Sequence, residues 1–113
     1  MSATSPISCA ALVRDLMFSS KITAAARQIG VSVMVVRDPS RLAEVGGSRL
    51  FVDLDHPGFI DAARSWRDRT GGELIGFASH VNTPAIDQAR EAGFDRVLSR
   101  GAFDRQVIEL LKT

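Results

Sequence analysis

Asp53 and Asp55 close the apolar run Leu50-Phe51-Val52 and stand just ahead of His56-Pro57-Gly58, so two carboxylates and an imidazole precede a Pro-Gly turn. A buried parallel strand that stops in this way delivers acid to the edge of a sheet. Ligands of open α/β folds bind there, outside the carboxyl ends of the strands. Carboxylates in such a place hold cations or pair with basic side chains. His80 falls on the same edge as His56, which makes a transition-metal site with Asp53 or Asp55 conceivable, but the spacing matches no established ligand motif. Asp55 itself reads as a cap on the following loop or as a solvent-facing group. Cys9, flanked by Ile7, Ala10, Ala11, Leu12 and Val13, has no His near it in sequence and reads as a buried strand thiol. Neither Ser19-Ser20 nor Gly71-Gly72 makes a phosphate loop, which weighs against a small-ligand or cofactor binder in the crevice. Trp66 reads as packing.

The elements that must position these residues alternate. Apolar runs suited to parallel strands occur at Ser8 to Val13, Ser32 to Val36, Arg49 to Leu54, Glu73 to Phe77 and Asp95 to Leu98. Between them Ile22, Ala25, Ala26 and Ile29 repeat at helical spacing, with Ser19 and Ser20 as candidate caps and Gly30 as a stop. A short helix is expected around Ser40 to Val45, and a third is marked by Ile60, Ala63 and Arg64 and ends before Gly71-Gly72. Thr83 is expected to cap a fourth, with Pro84 at its first position and Gly93 beyond its end. The last helix places Phe103, Val107, Leu110 and Leu111 on one stripe. Five strands alternating with five helices predict an α/β fold. It is flavodoxin-like, a doubly wound parallel sheet of order 2-1-3-4-5 with helices on both faces.

With 113 residues, 45% hydrophobic and 24% charged, the chain suits one well-packed domain over residues 1–113, with Met1 to Pro6 as a loose terminus. A net charge of +1, with basic residues interspersed among acidic ones, argues against nucleic acid and against a membrane surface as partner. The single cysteine permits no internal disulfide, and no segment looks like a signal peptide or a membrane span, so a cytoplasmic protein is expected.

The strand order together with Asp53, Pro57 and Gly58 resembles the receiver domain of bacterial two-component response regulators, over nearly the whole chain. By that resemblance Asp53 stands at the phospho-acceptor position. Asp15, in Leu12-Val13-Arg14-Asp15-Leu16, is similar to one of the acidic pair that holds magnesium, and Gly93 to Arg100 resembles the fifth-strand segment. The departures mark a degenerate member. Ala78 stands where receivers carry Ser or Thr, with the hydroxyl displaced to Ser79; Val97 replaces the switch aromatic; Arg100-Gly101 replaces Lys-Pro. An aspartyl phosphate carries close to two negative charges and needs a cation, an ammonium and a hydroxyl or N–H donor to hold it.

The resemblance therefore implies a stand-alone, non-enzymatic signalling domain. It would act by protein-protein interaction, with weak or no phosphorylation, through the side formed by the fourth helix, fifth strand and fifth helix. Its partner would be a kinase or an output protein, and a homodimer is a further expectation. Two alternatives stay open. Asp53 is phosphorylated in a phosphorelay, with magnesium on Asp15, Asp53 and water. Or Asp53 and Asp15 pair with Arg14, Lys21 or Arg100 in a structural charge network.

Overall fold

The computed structural model describes residues 9–112. In chain order it contains β1 (Cys9–Leu12), α1 (Leu16–Ile29), β2 (Val33–Val36), a 3-10 segment (Pro39–Glu44), β3 (Arg49–Asp53), α2 (Phe59–Thr70), β4 (Glu73–Ala78), α3 (Thr83–Glu91), β5 (Arg96–Ser99) and α4 (Arg100–Lys112). The strands form one parallel sheet in the order β2-β1-β3-β4-β5, the expected flavodoxin-like topology. The expected start of the first strand at Ser8 and the Met1 to Pro6 terminus lie outside the described residues.

Side chains alternate across the sheet as period-two geometry requires. Ala10, Leu12, Leu50, Val52, Leu54, Leu74 and Ala78 face Leu42 and the apolar stripes of α2 and α3, Trp66 among them. Cys9, Ala11, Val13, Phe51, Ile75 and Phe77 face α1 and α4. On this second side Phe18, Phe51, Phe77 and Phe103 form a ring cluster, with centroids 4.5 Å apart for Phe77 and Phe103 and 4.7 Å apart for Phe18 and Phe77. Trp66 is core, as expected, and its indole N–H donates to Val45 O at 3.0 Å. Cys9 is a buried free thiol whose pKa burial pushes up.

Three local expectations are corrected. Helix α1 begins before Ser19 and Ser20: Asp15 caps it, accepting from the Met17 and Phe18 N–H groups at 2.9 and 3.3 Å. Asp is among the strongest N-caps, and the burial of Phe18 in the ring cluster draws the first turn into the helix. The segment around Ser40 to Val45 is a 3-10 helix over Pro39–Glu44, capped by Asp38. Helix α3 is capped by Asn82, whose amide oxygen accepts from Ala85 N–H at 3.4 Å, leaving Thr83 and Pro84 as its first two positions.

Helix α4 is fixed at both ends. Ser99 Oγ accepts from Ala102 N–H at 3.1 Å, so the helix starts directly from β5. At the far end the buried Arg49 bonds Glu73 through Nε at 2.9 Å and donates through Nη1 to Leu110 O at 2.5 Å. The first residue of α4, Arg100, is held on the carboxyl edge by this anchoring.

Candidate functional site

Asp53 ends β3 with its side chain fully buried, 0% exposed. Its Oδ1 accepts from the Asp55 N–H at 3.1 Å and its Oδ2 accepts from Arg100 Nη2 at 2.9 Å. The same guanidinium donates through Nε to Asp55 Oδ2 at 3.0 Å and places Nη1 3.8 Å from Asp15 Oδ2. Its carbon lies 5.0 Å from the Phe18 ring centroid and 5.5 Å from that of Phe77, so the aromatic cluster forms the floor on which the cation rests. A planar fork with donors in fixed directions meets several carboxylates at once, which a compact ammonium does less well. A cation at a helix N-terminus is disfavoured by the helix dipole. Here three carboxylates reverse that preference. Burial works to lower the Arg100 pKa, but the bond to Asp55 and the fields of Asp53 and Asp55 outweigh it and raise the pKa above the ordinary value.

Asp55 is neither a loop cap alone nor solvent-facing, and this corrects the expectation. Its side chain is 22% exposed and ties three segments together. Oδ2 accepts from Ser79 N–H at 3.0 Å and from Arg100, while Oδ1 accepts from Asn82 Nδ2 at 2.7 Å. Burial raises the pKa of this carboxyl, yet the bonds from Asn82, Arg100 and Ser79 together hold it below the ordinary value. Asn82 joins the site without having been expected there: its amide nitrogen donates to Asp55 while its amide oxygen caps α3. The available signal was an Asn three positions ahead of Ala85 at a helix start.

Ala78 is the last residue of β4, fully buried and packed toward α2 and α3. Ser79 lies just past the strand; its N–H serves Asp55, and its Oγ accepts from Val81 N–H at 3.5 Å in its own turn. Val97, half-buried in β5, packs on the face shared with α2 and α3. His56 places Nε2 3.7 Å from Asp53 Oδ2 and tilts over Phe59, whereas His80 is exposed. Among the described residues no group of three or more His, Cys, Asp and Glu is arranged to hold a metal ion. Of the three cations expected near Asp53 and Asp15, Arg100 is the one that reaches them; Lys21 pairs with Asp104 at 3.6 Å.

Magnesium takes oxygen ligands in an octahedron at about 2.0–2.1 Å, through one or two carboxylates and several waters. Asp15 and Asp53 do converge, but on the guanidinium of Arg100. Each oxygen of Asp53 and Asp55 accepts a hydrogen bond, Asp15 Oδ1 caps α1, and Asp15 Oδ2 faces Arg100. With Arg100 in this position the donor set does not fit a divalent ion.

No protein-family model matches the chain, and no curated protein matches it in sequence. Its fold is that of response-regulator receiver domains. A CheY-like receiver domain from Methanospirillum hungatei is similar with a TM-score of 0.80 at 12% identity, covering 96% of this chain and 92% of that one. A response regulator from Thermotoga maritima gives a TM-score of 0.76 at 13% identity, with 96% of each chain covered. A response regulator from Burkholderia pseudomallei, with a phosphorylated aspartic acid, calcium ion and citrate, gives 0.76 at 15% identity, covering 95% of this chain and 67% of that chain. Among the described residues no helix is long and apolar enough to cross a membrane.

Proposed function

We propose that this chain is a receiver-type signalling module that acts by binding another protein, without enzymatic activity and with little or no phosphoryl transfer to Asp53. The observation that carries the reading is the buried Asp53 carboxylate with both oxygens occupied, one by Arg100 and one by the Asp55 N–H. A carboxylate must free an oxygen to attack phosphorus. Freeing Oδ2 here means breaking a charge-assisted bond held over two aromatic rings. The product would carry close to two negative charges on its phosphoryl oxygens, in place of the single charge of the carboxylate, beside Asp15 and Asp55. Ala78 offers no hydroxyl to them, and the Ser79 N–H already serves Asp55.

The surface we assign to the partner is the α3–β5–α4 side, where β5 is an open edge of the sheet with half-buried Val97 and Leu98. A kinase, an output protein or a second copy of the chain is the expected class of partner. A single buried thiol suits a reducing, cytoplasmic setting.

A second reading, Asp53 as a working phospho-acceptor with magnesium, draws support from the place of Asp53 at the carboxyl end of β3. The phosphorylated aspartic acid and calcium of the Burkholderia protein support it too. Partner affinity of Asp53→Asn separates the two. An unchanged Kd, with and without acetyl phosphate, is the expected result; a Kd that depends on Asp53 and on the phosphodonor would establish the second reading instead.

A further inference from the structure

We propose that Arg100 is a built-in replacement for a divalent cation, its guanidinium filling the point on which Asp15, Asp53 and Asp55 converge and excluding magnesium from the carboxyl edge. This holds whichever partner the domain binds, because it concerns only what neutralises the carboxylates.

Three observations carry it. The guanidinium contacts all three carboxylates, at 2.9 Å for Asp53, 3.0 Å for Asp55 and 3.8 Å for Asp15. The oxygens turned away from it are also engaged: Asp53 Oδ1 by the Asp55 N–H, Asp55 Oδ1 by Asn82, and Asp15 Oδ1 by the start of α1. The cation itself is anchored. Its backbone opens α4, its face lies over Phe18 and Phe77, and Arg does not deprotonate, so raising the pH does not remove its charge. A hydrated ion of charge two would have to enter against a fixed positive charge and then win ligands one by one from existing donors. His56 Nε2 also lies 3.7 Å from Asp53 Oδ2.

The test is a titration of the 15N-labelled chain with magnesium alone and with manganese alone, read from amide shifts and from paramagnetic broadening. Through about 10 mM magnesium, an order above the ~1 mM Kd at which the weakest calcium-binding carboxylate sites fill, the wild type should show no saturable change at Asp53, Asp55, Ser79 or Arg100. Arg100→Ala should gain a saturable response at these amides, with affinity raised about tenfold or more. Asp53→Asn in the same background should remove that gain. Arg100→Gln, of similar length and neutral, serves as the second variant where the Ala variant loses its dispersed spectrum. Saturable binding by the wild type that Asp53→Asn abolishes would overturn the proposal. So would folded Arg100 variants that bind no better than wild type. The wild-type titration decides the exclusion even where neither variant folds. None of these results depends on a partner or phosphodonor, so failure here and failure of the proposed function are distinguishable.

Discussion

Arg100→Ala removes the charge partner of a fully buried carboxylate, and its cost can be worked from the geometry. Breaking a buried ion pair by deleting one member costs about 3–5 kcal/mol, because the other charge is left uncompensated. Asp53 meets that description at 0% exposure, but the Arg100 side chain is 29% exposed, and water entering the gap would screen the orphan. We therefore expect about 2–4 kcal/mol, which for a chain of this size lowers Tm by roughly 8–15 °C. Asp53→Asn keeps an acceptor for one donor and leaves Arg100 bonded to Asp55, so about 1–2 kcal/mol is expected. In the double variant neither the buried charge nor its partner is present, and its cost should fall short of the sum by about 1–3 kcal/mol. Urea unfolding followed through Trp66, the only tryptophan and a core residue, supplies all three numbers. An Arg100→Ala cost of about 0.5 kcal/mol, typical of an exposed pair, with no coupling in the cycle, would refute the view that this pair organises the edge.

Gly72→Ala should destabilise the fold by about 1–3 kcal/mol and shift Trp66 emission. An added Cβ would stand 2.4 Å from the indole Cη2 and 3.0 Å from Ser48 O, and the ring is held by its bond to Val45. Unfolding midpoints equal to wild type would show that the ring can retreat. The Asp55 carboxyl titrates below its unfolded value near 3.9, so the stability it contributes is present above about pH 4 and is lost as pH falls through the folded value. Asp55→Asn should be less stable than wild type at neutral pH and lose less on acidification. Parallel acid limbs for the two proteins would remove Asp55 from the account.

The sheet order was legible because each local signal agreed: apolar runs of strand length, glycine stops after helices, and Phe103, Val107, Leu110 and Leu111 on one stripe of α4. The position of Asp53 was legible for the same reason. What the sequence concealed is how side chains share partners. Asp55 looked like a loop residue, although its i, i+2 relation to Asp53 put both carboxylates on one side of the chain. Ser19 and Ser20 were the expected caps of α1; Asp15 takes that place instead because the packing of Phe18 against Phe77 and Phe103, a long-range contact, draws the preceding turn into the helix. Arg100 read as an imperfect substitute for an ammonium. Its reach to three carboxylates depends on α4 starting without a loop from β5, which the Ser99 hydroxyl arranges.

The most direct test of the central claim, that Asp53 is occupied and does not switch, is an amide-shift titration of the wild type with beryllium fluoride and magnesium, repeated with acetyl phosphate. Ala78, Val97 and Arg100 are the reporters, at the end of β4, within β5 and at the start of α4. With Asp53 held by Arg100 and no hydroxyl at Ala78, the ligand is expected, on the proposed function, to find no two-state element to bias. Changes confined to the vicinity of Asp53, or none at all, are predicted. Saturable shifts that spread through Val97 into α3 and α4 would contradict the account and show Asp53 to be a working phospho-acceptor.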